Sequence, residues 1–278
     1  MLIERLNDKP KGESVTLCLY GASGTGKSWF CGSAGDRTLY IECENRLATV
    51  QSPAFKKKWG NWNPIVKQVT EEFLPEGGAK ALDEITKLIR EASTDYPDQF
   101  DTIIIDGASA FNRFALNKGL ELNQKLGKSK TLTRIGLNVL NTEIAIIDLT
   151  VQDRTAEMGM VQNFIFKIND YVRREKKHFI LTAHERLTYK EKQNITAVDV
   201  TDRIRPGFTG RTFPDEIPGM FDLVWYSEVV GSGDNANYRV RTEGDRSVVA
   251  KTCFNGIFKQ IETNPNFQDI LKRIRETK

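Results

Sequence analysis

The chain has 278 residues, of which 39% are hydrophobic and 28% charged, and its 40 basic and 37 acidic side chains leave a formal net charge of +3. Such a chain can bury a full core without staples, and so balanced a charge excludes nucleic-acid binding by overall attraction, leaving that role to local patches. No run approaches the roughly 18 apolar residues of a membrane-spanning helix, and the opening segment MLIERLNDKPKGES lacks a signal-type apolar stretch, so the expected compartment is the cytoplasm.

In chain order, strands alternate with helices, which predicts an α/β fold with a mostly parallel sheet covered by helices, in a single domain. Val15 to Tyr20 is a near-continuous apolar run and reads as the first strand. Gly21 to Ser28, GASGTGKS, follows it, and a helix is expected from inside this loop to about Gly32. Thr38 to Cys43 is a second strand. Ala79 to Ala92 has Leu82, Ile85, Leu88 and Ile89 at helical spacing. Thr102 to Ile105 is a third strand, and residues 108 to 124 and 135 to 176 are expected to be helical. His178 to Ala183 and Asp222 to Val230 supply two further strands. The turn signal GSGDNAN then leads into Tyr238 to Thr242, which predicts antiparallel strands added at one edge. From Asn264 the chain reads as a helical tail with a solvated basic face; the core is expected over about 13 to 254 and the tail over 255 to 278.

GASGTGKS has the spacing of a phosphate-binding loop in the context that motif needs, after a strand and before a helix. Gly21, Gly24 and Gly26 allow the backbone to wrap phosphates closely, so Gly21, Ala22, Ser23, Gly24, Thr25, Gly26, Lys27, Ser28 and Trp29 form the expected nucleotide-binding run. Lys27 is expected to reach the terminal phosphates and Ser28 to ligate Mg²⁺. TIIIDGAS ends a core strand in Asp106, the expected metal-site carboxylate. The next residue is Gly107, where many P-loop ATPases carry a glutamate. The group that orients the attacking water is therefore sought in LYIECENRL: Glu44 as the base, with Glu42 as its support. FILTAHER ends a fourth core strand in polar groups, and His184, with Thr182 second, is the expected γ-phosphate sensor.

Cys18, Cys31, Cys43 and Cys253 form no CxxC pair and are expected to be reduced. His178 and His184 lack the spacing a zinc site would need.

The order GASGTGKS, LYIECENRL, TIIIDGAS, FILTAHER resembles the RecA-type ATPase core, whose strand after the phosphate-loop helix reads like FIDAEHAL; Ile41, Glu42, Glu44 and Leu47 match it in register. The usual glutamine of that family's sensor is replaced here by His184. Over about residues 13 to 254 the chain is similar to the AAA-domain nucleotide-binding proteins of bacteriophages, including single-strand-annealing ATPases of the Sak type. The shared features are His184-Glu185, the segment from Arg205 to Val229, and a late hairpin leading to Ala250-Lys251. The resemblance implies Mg²⁺-dependent ATP hydrolysis, single-stranded DNA as substrate, a ring or filament of identical chains, and a phage or host recombination or replication protein as partner.

Two basic segments are candidate DNA contacts. Lys125, Lys128, Lys130 and Arg134 lie in a stretch without acids, and the loop after His184 carries Lys190, Lys192, Arg203, Arg205 and Arg211, with Tyr189 and Phe208 as stacking groups. Arg241 and Lys251 are candidates for a cation supplied to a neighbouring subunit. Rival readings are a loader or motor acting on a protein partner, a nucleotide-dependent binding module with little turnover, and a small-molecule kinase, for which no arginine-rich lid is found.

Overall fold

The structure is a computed structural model that describes residues 14–60, 62–71, 79–123, 132–137, 142–147, 150–188, 203–209, 213–231 and 236–277, the segments 132–137 and 142–147 and Thr188 by backbone alone. In chain order the elements are β1 (Thr16–Gly21), α1 (Lys27–Cys31), β2 (Thr38–Glu42), α2 (Ala48–Gln51), α3 (Pro53–Trp59), β3 (Ile65–Gln68), α4 (Ala81–Asp95), β4 (Thr102–Asp106) and α5 (Ala108–Leu122). They continue with β5 (Leu132–Leu137), β6 (Thr142–Ile147), α6 (Val151–Arg174), β7 (His178–Thr188), β8 (Arg203–Pro206), α7 (Phe213–Glu216), β9 (Leu223–Val230), β10 (Asn237–Arg241), β11 (Lys251–Thr252), β12 (Ile261–Thr263) and α8 (Phe267–Glu276).

The central sheet runs β12-β10-β9-β1-β7-β4-β2-β3, with β11 beside β9 and β8 beside the outer half of β7. From β9 to β3 every neighbour on this path is parallel. The strand β10 is an antiparallel addition at one edge, as the turn signal predicted, and β12, which the sequence reading did not foresee, pairs antiparallel beyond it. The fold is thus mixed α/β with a mostly parallel sheet flanked by helices. Alternation along the strands splits the core into two layers. Leu39, Ile41, Ile103, Ile105, Phe179 and Leu181 face α4, α5 and α6. Leu17, Leu19, Tyr40, Ile104, Ile180 and Trp225 face α1 and α8, where Phe267, Ile270, Leu271 and Ile274 are buried. The N-terminal end of α8 is docked by hydrogen bonds as well: Phe267 N donates to Ser33 Oγ at 2.8 Å and Gln268 Nε2 to Ala34 O at 2.5 Å.

One sequence expectation fails. Residues 135 to 176 are not one helix; β5 and β6 pair antiparallel, and helix begins only at Val151. Thr133, Ile135, Thr142, Ile144 and Ile146 are β-branched at alternating positions, and Gly136 is a poor helix residue, so the local preference is for strand. A capping box starts α6: the amide and hydroxyl of Thr150 donate to Asp153 Oδ2 at 2.8 and 2.7 Å. The fourth strand is also longer than expected, since β7 runs on past Ala183 to Thr188 and pairs with β8 as a ribbon.

Candidate functional site

The loop after β1 is held in shape from three directions. Gly24 and Gly26 take φ values of 80° and 87°, in the left-handed region where a side chain is strained. Ser227 Oγ on β9 donates to Thr25 O at 2.6 Å, and Thr25 Oγ1 to Ala22 O at 2.9 Å. At Gly21 a Cβ would stand 2.2 Å from Ser227 O, so only glycine lets β1 leave the sheet here. The Lys27 ammonium donates to Gly21 O at 2.9 Å and Ala22 O at 2.7 Å. Burial pulls its pKa below the ordinary lysine value, and the nearby carboxylates of Asp106, Glu44 and Glu185 oppose that shift.

Strand register lines up the polar ends of three parallel strands. Glu42 on β2 lies opposite Asp106 on β4, and Asp106 opposite Thr182 on β7. The strand β7, which carries the expected sensor, lies between β1 and β4. Asp106 Oδ2 accepts from Ser28 Oγ at 2.9 Å and from the Tyr40 hydroxyl, and its Oδ1 accepts from the Thr182 hydroxyl. Thr182 Oγ1 in turn accepts from Gly107 N at 3.0 Å. Burial and the Asp106 carboxylate hold the Tyr40 phenol well above its usual range, so it remains a donor. One hydroxyl and one carboxylate at this spacing suit Mg²⁺, which keeps waters and takes phosphate oxygens for the rest of its shell. Among the described residues no cluster of three or more His, Cys, Asp or Glu is placed to cage a metal.

Beyond β2 the chain makes a tight turn with Asn45 at φ 59°. The buried Glu42 carboxylate organises it: Oε1 accepts from Glu44 N at 2.7 Å and Arg46 N at 3.0 Å. Its Oε2 is buried with no partner among the described residues. Glu44 Oε2 lies 3.4 Å from His184 Nε2 and 3.5 Å from a guanidinium nitrogen of Arg46. These groups meet in a cavity of about 240 Å³, also lined by Lys27, Ser28, Trp29, Asp106, Thr182 and Tyr238. Trp29 and Tyr238 form one wall, with rings 6.4 Å apart and within 10° of parallel. A Cβ at Gly26 would lie 2.6 Å from the Tyr238 ring, so that ring packs directly on the loop.

The structure therefore brings together Lys27, Ser28, Trp29, Glu42, Glu44, Asp106, Thr182 and His184. Sequence reasoning passed over Tyr40, Arg46 and Tyr238. Tyr40 sits in an apolar run and reads as core; only its step of two before Glu42 hinted at a shared face. Tyr238 is nearly 210 residues from Trp29 in sequence, and nothing local links them.

The basic candidates fare differently. Lys125, Lys128 and Lys130, and also Tyr189, Lys190, Lys192 and Arg211, lie outside the described residues, and Arg134 stands on β5, described by backbone alone. Arg203 and Arg205 are on β8, where Arg205 pairs with Asp215. Phe208 is not available for stacking on a base, because it is 1% exposed and packs edge-on against Phe213. Arg241 is held by Glu228 at 3.3 Å and Asp245 at 3.4 Å. Lys251 donates to Pro218 O at 2.9 Å and Phe221 O at 3.1 Å, stitching β11 to the turn before β9. No helix among the described residues is long and apolar enough to cross a membrane.

Comparison with known families matches residues 13–254 to a family described as an AAA domain. Comparison with curated proteins gives no match.

Proposed function

We propose, from the premise that the chain belongs to this AAA domain family, that the cavity binds ATP with Mg²⁺ and hydrolyses its terminal phosphate. The observation that carries the reading is Glu44: a carboxylate beyond the end of β2, facing the same cavity as Lys27, Ser28 and Asp106. Bound Mg²⁺ supplies charge neutralisation at the phosphates. Ser28 and Asp106, already 2.9 Å apart, are the residues that would hold it. The Lys27 ammonium exchanges its loop carbonyls for phosphate oxygens. Glu44 orients the water and accepts its proton, and Glu42 positions Glu44 through the two amides it binds. His184, touching the same oxygen of Glu44, links the reaction to the β7–β8 ribbon.

We propose further that the cycle acts on single-stranded DNA, as a phage recombination or replication ATPase of the Sak-like kind that works as a ring or filament. Support comes from motif resemblance and from the ribbon itself, which begins beside His184 and carries Arg186, Arg203 and Arg205. The rival is a motor acting on a protein partner. Steady-state ATP hydrolysis, with and without single-stranded DNA and beside a Lys27→Ala control, separates them. Stimulation by DNA that the control abolishes supports the DNA reading. Steady hydrolysis indifferent to DNA favours the protein motor. No hydrolysis beyond the control removes the ATPase reading.

A further inference from the structure

We infer that Arg46 is a catalytic residue acting within its own chain: its guanidinium receives the charge that builds on the transferred phosphoryl group. The inference rests on the reading of the cavity as an ATP-hydrolysing site, and it replaces the cation from a neighbouring subunit that the resemblance suggested.

The argument begins with charge. Three carboxylates line the cavity, Glu42, Glu44 and Asp106, and the lysines and arginines lining it are Lys27 and Arg46 alone among the described residues. Lys27 belongs to the phosphate loop, so Arg46 is the remaining fixed cation at the wall where Glu44 stands. The two residues proposed for a role in trans are spent inside their own chain, Arg241 on Glu228 and Asp245, Lys251 on two carbonyls.

Geometry adds reach and freedom. The Arg46 backbone is pinned by its N–H to Glu42 Oε1 at 3.0 Å, which fixes where the side chain starts. The side chain itself is 62% exposed and touches Glu44 Oε2 at 3.5 Å. A charge-assisted hydrogen bond runs at about 2.7–2.9 Å, so this contact between an exposed guanidinium and a carboxylate that is itself 18% exposed is loose. The guanidinium can leave the carboxylate at little cost. A planar fork of donors suits phosphate oxygens in two-point contact.

The transfer also changes Glu44. The same oxygen, Oε2, is shared between Arg46 and His184. Movement of Arg46 to the phosphate therefore leaves that oxygen of Glu44 open to the attacking water. In that step the water oxygen bonds to the γ-phosphorus, the bond from phosphorus to the ADP oxygen breaks, ADP departs with the electron pair, and the water proton passes to Glu44. Arg46 takes no proton; it balances the charge spread over the phosphoryl oxygens.

The test uses the full chain and the variants Arg46→Ala and Arg46→Lys, with melting temperature as the check on folding. Because the side chain is exposed, both variants are expected to melt with the wild type. Arg46→Ala should lower kcat by about 10³-fold while ATP affinity stays within a few-fold, and it should fail to trap ADP with aluminium fluoride. Arg46→Lys should recover part of the rate. Wild-type turnover per chain should not fall on dilution. Turnover by Arg46→Ala within a few-fold of wild type overturns the inference and leaves the ATPase reading standing. A per-chain rate that vanishes on dilution overturns it in favour of a cation in trans. Absence of wild-type turnover above Lys27→Ala removes the ATPase reading and the inference together.

Discussion

Gly107 and Glu44 occupy one another's space. A Cβ on Gly107 would stand 2.5 Å from Glu44 Cγ and 3.0 Å from its Cδ, and Gly107 sits at φ 114°. The position after Asp106, where many P-loop ATPases carry a glutamate, is here approached from the side by a glutamate of the turn that follows β2. The missing acid and the extra one are thus a single arrangement.

Gly107→Ala should therefore harm catalysis more than binding. The positive φ alone costs about 1–3 kcal/mol for a side chain, and the contact pushes Glu44 out of place. The expected outcome is a lower melting temperature and a large loss of kcat, with ATP affinity retained. Gly107→Glu should not restore turnover to a Glu44→Gln chain. Normal turnover by Gly107→Ala would show that Glu44 does not need this position.

Glu44 and Glu42 should separate by kind of defect. Glu44→Gln keeps shape and should reduce kcat by about 10²–10⁴-fold, leaving ATP binding intact. Glu42→Gln keeps an acceptor oxygen for the amides of Glu44 and Arg46 and should retain much of the activity. Glu42→Ala leaves both amides without that acceptor and should lose kcat and stability together. Equal activity of the two Glu42 variants in kinetic assays would contradict the positioning role.

Thr182→Val tests the bridge between β7 and β4. It conserves shape but removes the donor to Asp106 Oδ1 and the acceptor for Gly107 N. Loss of an acceptor from a buried amide costs about 1–3 kcal/mol. Urea unfolding should show a loss of that size, and the Mg²⁺ concentration needed for half-maximal turnover should rise. An unchanged Mg²⁺ requirement would mean that Thr182 only braces the strands.

His178 should make the fold acid-sensitive far from the cavity. It is 2% exposed, its Nδ1 accepts from Val15 N at 3.1 Å, and burial, with Arg275 nearby, pushes its pKa down from 6.5 to about 4. The unfolded chain binds this proton near pH 6.5, whereas the folded chain resists it until about pH 4. The stabilisation is therefore full above about pH 6.5 and is lost as pH falls towards 4, amounting to roughly 3 kcal/mol. Measured by urea unfolding, His178→Asn should lose less stability than wild type over that interval. Parallel pH curves for the two chains would refute the assignment.

Much of the site was legible in the sequence because it is local. A strand, a glycine-spaced loop and a helix start are encoded by neighbours in the chain, as are the strand-end positions of Asp106 and His184. The acidic pair at 42 and 44 was readable from its spacing of two. The paired strands at 132–137 and 142–147 were misread because an apolar run suits either element until β-branching is weighed against helical spacing. What the sequence by itself determined is the set of groups available: a glycine-spaced loop after a strand, a carboxylate at a strand end and an acidic pair at 42 and 44, the proposed base and its support. Only the tertiary structure decided which groups meet. It set β7 between β1 and β4, placed Tyr40 and Thr182 on Asp106, joined Trp29 to Tyr238, filled the space over Gly107 with Glu44, and tied Arg241 and Lys251 down inside their own chain. The physical reason is that such partners are chosen by register between strands far apart in the chain, and no local preference encodes that register.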